Sequence, residues 1–264
     1  MLGHIPNLTN EDYHAAPGIS SSGLIRLIQE TPAHYRAYLN RDSEETKAKT
    51  FGTAVHMAVL EPDLFLKTYI SKPEGMNFAT KEGKEWKAQN QGKEILAFED
   101  WNAVLSIQDK FFSSKTLKSY LSGGSAEQSY FWNDPDTGLT CKCRPDYFDG
   151  KRVIDIKTAE SGKPNAFQYA IRKYRYDCQA GFYLSGMSQI VGKQLTDFLH
   201  IVIEKHPPYE VAVYVLDDAS IERAMLDVKA GLSTLKECME NNEWPGYGHS
   251  IQSISIPSDM FFIE

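Results

Sequence analysis

Apolar positions first recur at helical spacing. Leu24, Ile25, Leu27 and Ile28 follow Ile19-Ser-Ser-Ser-Gly23, whose serines suit a helix N-cap. Thr31-Pro32 opens a second short helix carrying Tyr35, Tyr38 and Leu39. From Arg41 to Lys49 the chain is polar and expected to be mobile. Phe51 to Leu60 is apolar, with small residues at Gly52 and Ala54, and reads as a buried helix that Glu61-Pro62 ends. Thr80 to Leu121 is helical in character with a break expected near Gly92, and Ser122-Gly-Gly-Ser125 closes the block.

The period then shifts to two. Ala126–Trp132 and Leu139–Phe148 read as strands joined by the Asn133-Asp-Pro-Asp-Thr-Gly138 turn. Asp149-Gly150 is a tight hairpin signal leading into a third strand, Arg152–Lys157. Helices over Pro164–Ile171 and Asp177–Ile190 come next. Strands Phe198–Glu204 and Glu210–Leu216 flank a His-Pro-Pro-Tyr turn, and a final helix runs from Asp217 to about Met239. Strands with helices on both sides in sequence predict an α/β fold with a central mixed β-sheet flanked by α-helices. No boundary interrupts the pattern, so residues 1–264 read as one domain.

Composition narrows the class only a little. Hydrophobic residues are 42% and charged residues 24%, ordinary for a globular protein with a buried core. No apolar run approaches the roughly 18 residues of a membrane helix, and Met1–Asn10 lacks the build of a signal peptide. A cytoplasmic protein without membrane association is therefore expected, with Cys141, Cys143, Cys178 and Cys238 as free thiols. Cys141 and Cys143 share a strand face and read as small packing residues; the C-x-x-C spacing of a cluster ligand set does not occur. The net charge of −7 argues against a uniformly basic nucleic-acid surface. Yet Lys142, Arg144, Lys151, Arg152, Lys157, Lys163, Arg172, Lys173 and Arg175 crowd one stretch, against Asp146, Asp149, Asp155 and Glu160.

That stretch holds the candidate chemistry: Arg144-Pro-Asp146, then Asp155-Ile-Lys157. Asp155 and Lys157 stand two apart on a strand and face the same way. With Asp149-Gly150 as a two-residue loop, Asp146 pairs with Val153 and lies diagonal to Asp155, roughly 7–8 Å away along the same face. Two carboxylates at that range suit one hard cation such as Mg²⁺, with the Ile156 carbonyl as a further oxygen. Such a cation, beside a protonated Lys157, would stabilise charge developing on a phosphodiester. Both charged residues interrupt an otherwise apolar strand, Val153-Ile-x-Ile-x, where unpartnered burial is costly.

Over nearly its whole length the chain resembles the nuclease domain of RecE (exonuclease VIII), in the RecB-like branch of the PD-(D/E)XK superfamily. The resemblance rests on Pro17-Gly-Ile-Ser20, Phe51-Gly-Thr-Ala-Val-His56, Leu60-Glu-Pro62, Cys141-Lys-Cys-Arg-Pro-Asp146, Asp155-Ile-Lys-Thr158, Tyr174-Arg-Tyr-Asp-Cys-Gln179 with Tyr183, and Glu243-Trp-Pro245. It implies that His56 is a metal ligand, that Asp146, Asp155 and Lys157 are catalytic, and that Gln179 and Tyr183 border the site and touch DNA. Glu127 is either an additional acidic residue of the metal shell or a strand-edge charge. Arg144, Lys173 and Arg175 are candidate phosphate contacts by charge and position, and Thr158 a candidate hydrogen-bond partner near the metal. The resemblance further implies a Mg²⁺-dependent (Mn²⁺ substituting) 5′→3′ exonuclease. Linear double-stranded DNA would be its substrate and a homotetrameric ring its form. The 3′ single-stranded tails would pass to a RecT-type annealing protein in recombination. Members of that family carry a long N-terminal extension that the present sequence does not include, as in a compact form or an expressed fragment. An endonuclease or single-strand preference, or a non-catalytic DNA-end-binding module, are the rival readings.

Overall fold

The structure, a computed structural model, describes residues 1–40 and 47–255. In chain order its elements are β1 (Gly3–Ile5), α1 (Asn10–Ala15), α2 (Ser21–Gln29), α3 (Pro32–Leu39), α4 (Lys47–Leu60), α5 (Pro62–Thr68), β2 (Tyr69–Ser71), α6 (Lys81–Gln89) and β3 (Glu94–Leu96). There follow α7 (Phe98–Ser113), α8 (Lys115–Tyr120), β4 (Ser125–Ala126), β5 (Ser129–Asn133), β6 (Thr140–Cys143), β7 (Tyr147–Phe148) and β8 (Arg152–Ala159). The last are α9 (Pro164–Tyr174), α10 (Tyr176–Val191), β9 (Asp197–Glu204), β10 (Val211–Val215) and α11 (Asp218–Asn241). Of the polar stretch expected to be mobile, 41–46 lie outside the described residues, and Lys47 onward belongs to α4. Among the described residues no helix is long and apolar enough to cross a membrane.

The main sheet has the order β10-β9-β8-β7-β4, with β8 and β9 parallel and the other pairs antiparallel, so the mixed α/β architecture expected from the sequence is present. The crossover joining β8 to β9 is the helix pair α9–α10, as a parallel connection requires. A smaller sheet, β1-β5-β6, stands beside it. Each long strand expected from the sequence is in fact two: β4 and β6 stop and resume as β5 and β7 in the other sheet. The two breaks adjoin. Pro145 has no N–H for a ladder, and Glu127 takes a left-handed φ of 52° while its N–H donates to the Asp146 carbonyl at 3.1 Å. The region around Gly92 is likewise more than a helix break. Glu94–Leu96 forms a parallel pair with Tyr69–Ser71, a strand of three residues too short for alternation to betray.

Strand β8 divides the core. Ile154 and Ile156 join one apolar cluster with Val55 and Val59 of α4 and Phe111 of α7. Val153, on the opposite face, joins a second with Phe182 and Leu184 of α10 and Leu232 of α11. Asp155 and Lys157 share the face of Val153 and so point beneath α10. Cys141 and Cys143 are fully buried in the second cluster, and all four cysteines are free. Lys142, between them, sends its ammonium the other way to the carbonyls of Tyr13, His14 and Ala16 at 2.8, 3.2 and 2.6 Å, fastening the N-terminal segment to the small sheet.

Candidate metal and nuclease centre

The hairpin that carries the carboxylates turns one residue later than the sequence suggests. Tyr147 pairs with Ile154 and Phe148 with Val153, and the Asp149 N–H points to the Arg152 carbonyl, leaving Gly150-Lys151 as the loop. Asp149 explains the shift: its side chain accepts from the N–H groups of Lys151 and Arg152 at 2.8 and 2.6 Å and from the Arg152 guanidinium at 2.7 Å. The register moves by two residues, so side chains keep their faces. Continued past Tyr147, it sets Asp146 opposite Asp155 and not diagonal to it.

Asp146 stands where β7 leaves β8. Its Oδ2 accepts from the Ile156 N–H at 2.5 Å and faces His56 Nδ1 at 3.3 Å. The N–H and C=O of a strand residue point to the same edge, so the Ile156 carbonyl lies on Asp146's side. His56 reaches this point because α4 passes close to β8: a Cβ on Gly52 would lie 3.4 Å from Thr158 Oγ1, and His56 follows Gly52 by one turn on the same face. Thr158 thus lies under α4, past Lys157. Glu127 completes the group. One ligand atom each from His56, Glu127 and Asp146 lies within 4.8 Å of the others.

Asp155 is held differently. It is 3% exposed. Gln179 Nε2 donates to its Oδ1 at 2.7 Å, and Lys157 Nζ pairs with its Oδ2 at 2.6 Å. That Oδ2 has no other partner among the described residues. Lys157 also sits 4.6 Å from the Tyr176 ring centroid. Tyr183 Oη donates to the Arg144 carbonyl at 3.5 Å, bracing the segment just before Asp146. Gln179 and Tyr183, one turn apart on α10, therefore act on the two carboxylate segments in turn.

The electrostatics are those of a site with surplus negative charge. Burial, and then Asp146, push Glu127 up to about 7 against the opposing pull of Arg144. Burial raises Asp155, with Lys157 countering it. Burial would lower both His56 and Lys157, but the carboxylates beside them outweigh it and hold both above their ordinary values. Burial would raise Asp146, yet His56 holds it low. An imidazole and two carboxylates that converge, with a third carboxylate behind them, fit a divalent cation of the Mg²⁺ or Mn²⁺ kind. Glu127, readable in the sequence as either metal shell or strand edge, lies in this converging set, whereas Asp155 is drawn back to Gln179 and Lys157.

The candidate phosphate contacts separate. Arg144 is committed internally: it pairs with Glu127 at 2.8 Å and donates to the Leu8 and Thr9 carbonyls at 2.9 and 3.3 Å. Arg175 is clasped by Asp177 and by Asp227 of α11, at 3.0 and 2.6 Å. Its charge is thus answered within the fold. Lys173 alone of the three is exposed with no carboxylate partner among the described residues. A cleft of about 540 Å³ opens over His56 and Glu127, walled by α4 and the loop around Thr9.

A mixed sheet between helical layers, with a histidine, carboxylates and a lysine meeting at its forked edge, defines the PD-(D/E)XK class of α/β domain. The chain belongs to the family described as "PDDEXK-like domain of unknown function (DUF3799)", which it matches over residues 20–256. A search of the curated proteins finds no match. Among solved structures it is similar to a protein of Eubacterium rectale described as a candidate exonuclease, at 16% identity and a TM-score of 0.65. That alignment covers 95% of this chain and 96% of the other. A second, SSO0001, aligns at 19% identity over 78% of this chain and 84% of that one, but its TM-score of 0.26 bears on nothing here. At such identities the likeness concerns the fold.

Proposed function

We propose that the protein is a divalent-metal-dependent deoxyribonuclease acting on the ends of linear duplex DNA. One observation carries the reading: the sheet fork brings His56, Glu127 and Asp146 within reach of one ion and sets Asp155 and Lys157 on the adjoining strand. Binding of Mg²⁺ there supplies Lewis-acid stabilisation for phosphodiester hydrolysis. The chain's own groups do the rest. His56, Glu127 and Asp146 would hold the ion. Lys157, kept protonated by Asp155, places a fixed positive charge where the phosphate gains negative charge. Gln179 fixes Asp155, and the Tyr176 ring fixes the ammonium of Lys157.

The exonuclease reading is supported by the fold likeness to a candidate exonuclease. The finer features rest on the resemblance to RecE alone: 5′→3′ polarity, 3′ tails for a RecT-type annealing partner in recombination, and a homotetrameric ring. Linear duplex DNA labelled at either end, incubated with Mg²⁺, tests these together. Label released first from the 5′ end is expected, with closed circular DNA left intact. Release from the 3′ end would overturn the polarity. Cutting of the circle would favour the endonuclease reading. Undiminished cleavage by Asp155→Ala and Lys157→Ala would remove the site itself. Sedimentation of the protein alone reports the assembly, with four copies expected.

A further inference from the structure

The far end of β8 runs out beneath α9, and the two enclose a second cleft, of about 310 Å³, that begins at Lys157. Its wall is aromatic. Tyr169 and Tyr174 line it, yet they are 67% and 49% exposed. Tyr174 stacks on Tyr176 at 5.5 Å with 27° between the rings, and Tyr176 in turn carries Lys157 over its face. A run of rings thus leads from the catalytic ammonium to the surface. Tyr169 has no ring partner among the described residues. The cations are placed to match: Lys173, on the rim, lies 5.1 Å from the Tyr174 centroid, and Lys205 lines the floor. The one acid lining it among the described residues, Glu160, is already paired with Lys205 at 3.0 Å and His206 at 2.9 Å.

Exposed rings flanked by lysines suit an unpaired nucleotide: every base offers a face for stacking, and the backbone beside it carries negative charge. Duplex DNA keeps its bases stacked inside and would leave these rings unused. We propose that this cleft is a base-stacking subsite for one unpaired nucleotide of the strand being cut. The base lies against Tyr169 and Tyr174, and its phosphate meets Lys173. The proposal rests on the nuclease reading, and gives Tyr169 and Tyr174 a positioning role for the strand at Lys157.

The test is binding of a fluorescein-labelled single-stranded oligothymidine, read by anisotropy with Ca²⁺ replacing Mg²⁺. Tyr169→Leu and Tyr174→Leu are each expected to weaken binding about tenfold. Tyr169→Phe and Tyr174→Phe should stay within about twofold of the parent, because stacking needs the ring and not the hydroxyl. An oligonucleotide with abasic sites throughout should bind the parent about as poorly as the leucine variants bind oligothymidine. Melting temperatures of all four variants, both residues being exposed, should match the parent's. If the parent cleaves linear duplex DNA while the leucine variants bind like it, or the abasic strand binds equally well, the subsite is overturned and the nuclease reading stands. A parent that neither cleaves nor binds removes both.

Discussion

Helices α4 and α10 press on β8 from opposite sides and are fitted to different tolerances. On α10 the packing is jammed. A Cβ on Gly186 would overlap the Trp132 indole, and Gly181 has the Met225 backbone nitrogen at 3.3 Å from the same kind of built atom. On α4 the face toward the site has room. Gly52 would meet Thr158 at an ordinary 3.4 Å, and Thr53, His56 and Met57 line an open cleft. Lys157 and Asp155 are thereby set against a close-packed backing, and the side left open is the one bearing His56. Precision and access are assigned to different layers.

Substitutions at the two glycines give the largest effect that could break this contrast. Gly186→Ala should destabilise the fold by about 3 kcal/mol or more, since the indole is buried and cannot give way. Gly52→Ala should stay within about 1 kcal/mol, its gain in helix propensity offset by a tighter approach to Thr158. Urea melts of both variants decide it, and equal losses would mean that α4 is as tightly seated as α10.

The next effect separates holding an ion from aiming a carboxylate. His56→Ala should weaken Mn²⁺ binding by about 100-fold or more, whereas Gln179→Ala, which touches Asp155 only, should weaken it by about tenfold or less. Calorimetric titration of both proteins gives the ratio. Binding should also depend on pH in a definite sense. His56 is held above its ordinary value and Glu127 at about 7, and both must shed a proton to ligate. Mn²⁺ affinity should therefore rise as pH climbs through 7. Glu127→Gln should bind more weakly and with a shallower pH slope. A slope unchanged by that substitution would place the Glu127 carboxylate outside the ion's reach.

How much of this could be read from the chain depends on the range of the forces involved. Asp155 and Lys157 announce themselves locally, as the two charges of Val153-Ile-Asp-Ile-Lys157, because a buried strand excludes them without a reason. Gln179 and Tyr183 are marked by the family resemblance, and helical spacing adds only that they share a face. The hairpin turns one residue past the Asp-Gly signal because the Asp149 side chain, by accepting two N–H groups, selects the turn against the Asp-Gly preference. His56 carries no local signal: a histidine on an apolar helix reads as core, and only the family resemblance marks it. Arg175 sits amid basic residues in sequence, and its clasp comes from Asp227, 52 residues on. Glu127 owes its place to two strands changing sheets at one point, a tertiary event that alternation within either strand does not encode.

A remaining effect, small near neutral pH, probes the close-packed side alone. His200 pairs in register with Asp155, is fully buried, and has no hydrogen-bond partner at either ring nitrogen among the described residues. Phe167, Tyr176 and Phe198 surround it. Burial, and then the charge of Lys157, lower it from 6.5 to about 3, so the folded chain keeps it neutral. Unfolding frees it to protonate near its ordinary value. Its contribution to stability is thus full above about pH 6.5 and drains away as pH falls toward 3, at no more than about 1.4 kcal/mol per pH unit. His200→Leu should remove that slope, leaving parent and variant close at pH 8 and the variant increasingly the more stable below pH 6. The difference in urea midpoint across that range measures it. A parallel fall in both proteins would mean that the layer beneath α10 admits water or a proton at His200, and is less closed than the contrast with α4 requires.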